Sequence, residues 1–183
     1  MEIESCYLLG EFDVRRVAEK GKKPGPPQFL LTAPSFSTSS GDLTERGMPF
    51  YRGAVTYRQN LDQPRRASHR CFLELNEPRA AIAEVAINGE RAGLVAWPPW
   101  RVEVTDLLKA GENEIEITLY GTCRNLLGPH HHIEGELISV GPASFSSNPP
   151  PSAGGRKKTW TDDYSFVPFG LLGGASLVFT RLS

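Results

Sequence analysis

The chain has 183 residues, 18 of them Gly and 15 Pro, and a formal net charge of −1. That length fills one domain and is too short for two unless both are small, and the abundance of turn formers points to short strands. No basic stripe suggests nucleic acid, since the clusters at Lys20–Lys23 and Arg156–Lys158 read as solvated loops; no apolar run is long enough for a membrane-spanning helix, and Met1-Glu2-Ile3-Glu4-Ser5 lacks the basic region of a signal peptide. The odd set Cys6, Cys71 and Cys123 lies in or beside strand-like stretches. It is expected to form buried thiols in a reducing compartment, which favours the cytoplasm, and not a disulfide framework.

In chain order, Tyr7–Phe12 reads as an opening strand, Lys20–Pro27 as a mobile loop and Phe29–Leu31 as a second strand. Pro34 to Gly41 has turn composition, and its glycines do not precede a helix as a phosphate cradle requires. Gly53–Leu61 alternates Val55, Tyr57 and Leu61 against Thr56, Arg58 and Asn60, and Pro64 ends it. Arg70–Leu75 places Cys71, Leu73 and Leu75 on an inner face.

The most informative stretch is Ala83–Tyr120. Asn88-Gly89 between alternating apolar residues predicts a hairpin whose return strand reaches Val95, because the favoured turn needs positive φ at both central positions. Trp97-Pro98-Pro99-Trp100 follows. Thr105 is expected to cap a helical turn over Asp106–Lys109, which Gly111 ends. From Glu112 onward, Ile115, Ile117 and Leu119 oppose Glu114, Glu116 and Thr118, the pattern of a half-buried antiparallel strand. Gly121–His132 reads as a polar-edged loop, Leu137–Val140 as a strand, and 146–158 as a flexible Pro/Ser/Gly loop. Trp160–Phe169 is aromatic-rich, and Ser176–Leu182 closes the chain as a strand. About eight or nine short strands separated by turn signals predict an all-β, jelly-roll-like antiparallel β-sandwich in one domain spanning 1–183.

The segments Gly47-Met48-Pro49-Phe50-Tyr51-Arg52-Gly53, Val85–Gly89, Trp100–Leu108 and Gly111-Glu112-Asn113 together resemble the galactose-binding-like β-sandwich of bacterial glycoside hydrolases. The similarity is in particular to the sugar-binding domain of glycoside hydrolase family 2 and to accessory domains of rhamnosidase-like enzymes, and it covers mainly residues 47–128. Its residues are turn, cap and loop positions, with Asn113 expected to bond its own loop backbone. In such enzymes the catalytic carboxylates sit on a separate barrel. The resemblance therefore implies a non-catalytic accessory domain, from the C-terminal end of a larger hydrolase, that binds carbohydrate weakly or supports the barrel of the same polypeptide.

Two groups of residues merit a chemical reading. On an extended segment His130 and His132 face one way, with Glu134 and Glu136, and His131 faces the other. His130, His132 and Glu136 have the spacing of the first half of a cupin metal motif. The other histidine, His69, lies upstream, none follows position 132, and the glycine spacing differs from a cupin's, so a polar rim loop is the competing reading. The aromatic group is Trp97, Trp100 and Trp160, with Tyr51, Tyr57 and Tyr164 available, because sugars stack their C–H faces on indole rings while amides and carboxylates bond their hydroxyls.

The carbohydrate or interface candidates are thus Trp97, Trp100, Asn125, His130, His132, Glu134, Trp160 and Asp162. Asp42, Glu45, Asp162 and Asp163 are loop carboxylates with no sign of a glycosidase pair, and no Gly-x-Ser-x-Gly elbow occurs. No cofactor is expected, although sandwiches of this type often hold a structural calcium. Two alternatives remain open at this point: a structural or protein-interaction sandwich without sugar affinity, and a small metal-dependent, cupin-like enzyme built on the histidines.

Overall fold

The computed structural model describes residues 6–17, 28–35, 39–63, 69–146 and 160–181. Its strands are β1 (Asp13–Val17), β2 (Gln28–Thr32), β3 (Ala54–Gln63), β4 (His69–Leu75), β5 (Pro78–Arg79), β6 (Ile82–Ile87), β7 (Glu90–Val95), β8 (Arg101–Glu103), β9 (Gly111–Tyr120), β10 (Gly170–Leu171) and β11 (Ala175–Arg181). A four-stranded sheet in the order β3-β9-β6-β7 faces a three-stranded sheet in the order β11-β4-β8; β1-β2 and β5-β10 form separate pairs. Every pairing is antiparallel. This is the all-β sandwich that the sequence predicts.

Strict alternation builds the core. Cys71, Leu73 and Leu75 of β4, Val85 and Ile87 of β6, and Ile115, Ile117 and Leu119 of β9 are buried, while their neighbours along each strand face outward. The β6–β7 hairpin turns at Asn88 (φ 54°) and Gly89 (φ 80°), the left-handed pair that this turn demands. Asn113 is fully buried and acts as a four-way clasp. Its Oδ1 accepts from Lys109 N (2.9 Å) and Asn88 Nδ2 (3.0 Å), and its Nδ2 donates to the carbonyls of Lys109 (2.9 Å) and Gly111 (2.8 Å). The hairpin tip and the 107–111 loop are thereby locked onto β9.

Several expectations need correction. Residues 7–12 form no strand; pairing starts at Asp13, whose β1 strand finds its partner in β2. Leu137–Val140 forms no strand and has no ladder partner among the described residues, and Ile138 is fully exposed. Thr105 does not cap a helix: 105–107 is a turn, and the Thr105 hydroxyl accepts from Cys71 N (2.9 Å) and donates to Glu103 (2.9 Å), tying β8 to β4. The loop after Tyr120 contains one turn of helix, α1 (Arg124–Leu127). Of the cysteines only Cys71 is buried; Cys6 and Cys123 are exposed, and none of the three is paired in a disulfide. The clusters at Lys20–Lys23 and Arg156–Lys158, Pro64, Leu182 and nearly all of the 146–158 loop lie outside the described residues. Among the described residues no helix is long and apolar enough to cross a membrane.

Candidate functional site

The histidine segment and the aromatic segment near the C-terminus come together at one end of the sandwich. His132 and Trp160 form an antiparallel bridge. Thr161 N donates to His131 O (2.8 Å) and Ser165 N to His130 O (2.6 Å), so 160–165 runs back along 130–132. Asn125, buried on α1, fixes the next turn of chain: its Nδ2 donates to Val167 O (2.7 Å) and its Oδ1 accepts from Val167 N (2.8 Å). A buried amide bonded to both the N–H and the carbonyl of one residue in this way is a positioning group, because the paired bonds fix the Val167 backbone against α1.

The rings make a continuous cluster. His131 stacks on Trp160 with centroids 4.5 Å apart and planes at 30°, and its ring also meets Tyr164 edge-on at 4.5 Å. His130 packs against Tyr164 (5.4 Å) and Phe50 (5.8 Å). Phe29 of β2 abuts both Phe50 (5.4 Å) and Tyr164 (5.0 Å), and Phe166 stacks on Tyr164 at 5.5 Å. Arg16 of β1 pairs with Asp163 across the solvent-exposed edge. An exposed pair of this kind contributes little stability and mainly sets orientation.

Hydrogen bonding fixes the imidazole tautomers. His130 Nε2 lies 2.7 Å from Asn125 O and His131 Nδ1 lies 3.1 Å from Asp163 O; a carbonyl only accepts, so each of these nitrogens carries the proton. His132 is buried, and its Nδ1 accepts from Glu134 N at 3.2 Å. The chain turns there, with Gly135 N donating to His132 O (2.9 Å), so the alternating face predicted for His130, His132, Glu134 and Glu136 does not exist. The lone pair of His132 Nδ1 is engaged within the loop and Glu136 is exposed beyond the turn. Among the described residues no group of three or more His, Cys, Asp or Glu side chains is arranged to hold a metal ion.

Burial is the main influence on His130 and lowers its pKa; the Asn125 carbonyl opposes this, and the nearby positive charges of Arg124 and His131 add to the lowering. With a folded value below the unfolded one, His130 favours its neutral form. Its contribution to stability is complete above the unfolded pKa of about 6.5 and is lost as pH falls through the lower folded value. Acidification from pH 7 to 5 is expected to lower Tm more in the wild type than in His130→Gln, measured by thermal unfolding across a pH series; parallel profiles would remove His130 from this role.

The remaining candidates are placed as follows. Trp160 is half-buried, and its indole N–H donates to Asp162 Oδ1 (3.3 Å), leaving the other carboxylate oxygen of the exposed Asp162 toward solvent. Glu134 is exposed. Trp97 is 74% exposed on the β7–β8 connection, whereas Trp100 packs against the core, so this pair stands apart from the histidine rim. Asp42 has a local structural role, accepting from Thr44 N (2.9 Å) and Phe169 N (3.3 Å). Sequence reasoning did not find Phe29, Phe50, Phe166 or Arg16, none of which lies near the histidines in the chain.

Two facing antiparallel sheets with a loop-built, aromatic rim define a β-sandwich. No family model matches the chain. Over 88 residues, 46% of its length, the chain is 29% identical to a putative beta-glucuronidase of Formosa agariphila, of which it covers 8%. Its fold is similar to that of a rhamnosidase from Novosphingobium sp. PP1Y, with a TM-score of 0.50, 21% identity, and coverage of 92% of this chain and 14% of that one. It is equally similar to a Bifidobacterium dentium beta-glucuronidase complexed with coumarin-3-O-glucuronide, with a TM-score of 0.50, 18% identity, and coverage of 94% and 29%. The resemblance carried by Gly47–Gly53, Val85–Gly89 and Trp100–Asn113 thus holds for the fold, and the chain matches only a small part of each enzyme.

Proposed function

We propose that the chain is a non-catalytic accessory β-sandwich of a larger glycoside hydrolase, which contacts carbohydrate weakly through its rim and packs against a catalytic domain of the same polypeptide. One observation carries this reading: nearly all of the chain superposes on hydrolases of which it makes up a minor part. The rim supplies suitable chemistry, with the Trp160 and His131 rings for C–H stacking and the free oxygen of Asp162 for a sugar hydroxyl. Calorimetric titration with a panel of mono- and oligosaccharides, uronides included, is expected to show saturable binding at about millimolar concentration, lost in Trp160→Ala and retained in Trp97→Ala. A flat response to the whole panel sinks the sugar contact.

A specific observation favours the second reading, a docking module without sugar affinity. Ile133 (59%), Ile138 (109%), Val140 (52%) and Phe145 (51%) leave large apolar side chains exposed in the segment that continues from the rim. Under that reading the saccharide titration is flat, and the chain binds the catalytic region of its parent polypeptide more weakly when Ile138 is changed to Glu.

A further inference from the structure

The two facing sheets differ in width, four strands against three. They are flush on one side, where β7 lies beside β8 and a Cβ at Gly93 would stand 3.0 Å from Val102 Cγ2. The missing strand width, about 4.8 Å, therefore falls on the other side, outside β11 and opposite β3. A cleft of about 1550 Å³ opens there, walled by residues 54–59 of β3 and 175–177 of β11. The core registers the gap: Val85, Ile87 and Leu119 are wholly buried, whereas Val55, Tyr57 and Leu61 of β3 and Leu177 of β11 are only partly covered.

Residues 8–14 line the same cleft. Their anchor is firm, since buried Asp13 accepts from Ser35 N (3.0 Å) and Val14 N donates to Gly47 O (2.8 Å). Before the anchor, apolar side chains stand open: Tyr7 is 55%, Leu8 74% and Leu9 95% exposed. The strand-like sequence Tyr7–Phe12 has no ladder partner among the described residues, where β11 is the outermost strand of its sheet. Six extended residues reach about 20 Å, close to the length of β11.

We propose that Tyr7–Phe12 is a strap that docks as the fourth strand of the narrow sheet, along the outer edge of β11 and over the inner face of β3. In that position side chains alternate between faces. Leu8 and Phe12 turn inward onto Val55, Tyr57 and Leu61, Gly10 between them adds no bulk, and Tyr7, Leu9 and Glu11 face solvent. Burial of the apolar side chains of the strap and of β3 drives the closure, and backbone pairing along β11 sets its register. The inference does not depend on sugar binding or on the parent enzyme.

Hydrogen exchange on the full chain, followed by NMR, tests it. The amides of Leu8–Phe12 and those on the outer edge of β11 are expected to exchange at least about a hundredfold more slowly than in an unfolded chain. Leu8→Asp releases both sets while the β9 amides stay protected, and Leu9→Asp releases neither. Coil-like exchange of residues 8–12 in the wild type overturns the proposal, as do equal effects of the two variants. Protection of the β11 edge that rises with protein concentration assigns the position to a second copy and overturns it as well.

Discussion

Replacing Asn113 with Leu is expected to lower the free energy of unfolding by about 3 kcal/mol, although the two side chains are similar in size. The amide is wholly buried and joins four groups on three residues: Asn88 Nδ2 of the hairpin tip, Lys109 N–H and C=O, and the Gly111 carbonyl. Leu leaves these groups unmatched, and each unmade buried hydrogen bond costs about 1–3 kcal/mol, less where water reaches the exposed Asn88 and Lys109. A domain of this size is stable by only about 5–15 kcal/mol, so the loss should appear as a fall in Tm of roughly 6–12 °C.

Asn113→Asp sharpens the test. It keeps the acceptor but turns the donor toward the Lys109 and Gly111 carbonyls into a second oxygen. The carboxylate is disfavoured in the folded state, so its folded pKa rises above the unfolded value of about 3.9, and the deficit is present above that value and shrinks as pH falls toward it. Glu112→Gln, at an exposed position bonded to Asn60, should stay within about 0.5 kcal/mol. A urea midpoint for Asn113→Leu close to the wild type would show that the clasp is redundant.

Asn113 also shows how unevenly the sequence discloses this molecule. Its loop, the Asn88-Gly89 turn and the Ile115, Ile117, Leu119 alternation are legible because turn preference and a period of two are local properties. A strand, however, also needs a partner, and partners lie far away in the chain. Tyr7–Phe12 and Leu137–Val140 have strand composition but no ladder among the described residues, whereas Asp13–Val17 has one through β2. Thr105 looks like a helix cap because Asp106 and two leucines follow it; its hydroxyl is instead taken by the Cys71 backbone of another strand.

The rim was legible only in part, for the same reason. His130, His131 and Trp160 attract notice as residue types, but what decides their chemistry is the company they keep. Phe29 reaches Tyr164 from more than a hundred residues away in the chain, Phe50 reaches His130 from eighty, and Asn125 clamps Val167 from forty-two residues away. An extended-segment reading gives the histidines one shared face. The bridge to Trp160 and the turn closed by Gly135 send the three imidazoles to three different partners.

Leu119→Ala should destabilise the chain by about 3–4 kcal/mol, within the range for emptying a fully enclosed leucine site. Leu119 has no exposed surface, and it sits between Val55 of β3 and Ala83 of β6 in the middle of the wider sheet. Neither neighbour can collapse into the space, since both are held by ladders on β9. Leu94→Ala, on the outward face of β7 at 50% exposure, should cost no more than about 0.5 kcal/mol. The same variant asks whether sheet and rim unfold together. Tyr120, next in the chain, accepts from Ala81 N (2.9 Å), and Gly121 N reaches Gly53 O (3.1 Å), so the rim loop departs directly from the layer that Leu119 holds. If the two are one cooperative unit, Trp160 fluorescence, isolated by Trp97→Phe and Trp100→Phe in both backgrounds, and far-ultraviolet circular dichroism of Leu119→Ala shift to the same lower urea midpoint. A fluorescence transition that stays at the wild-type midpoint while the sheet signal moves would separate the rim from the core.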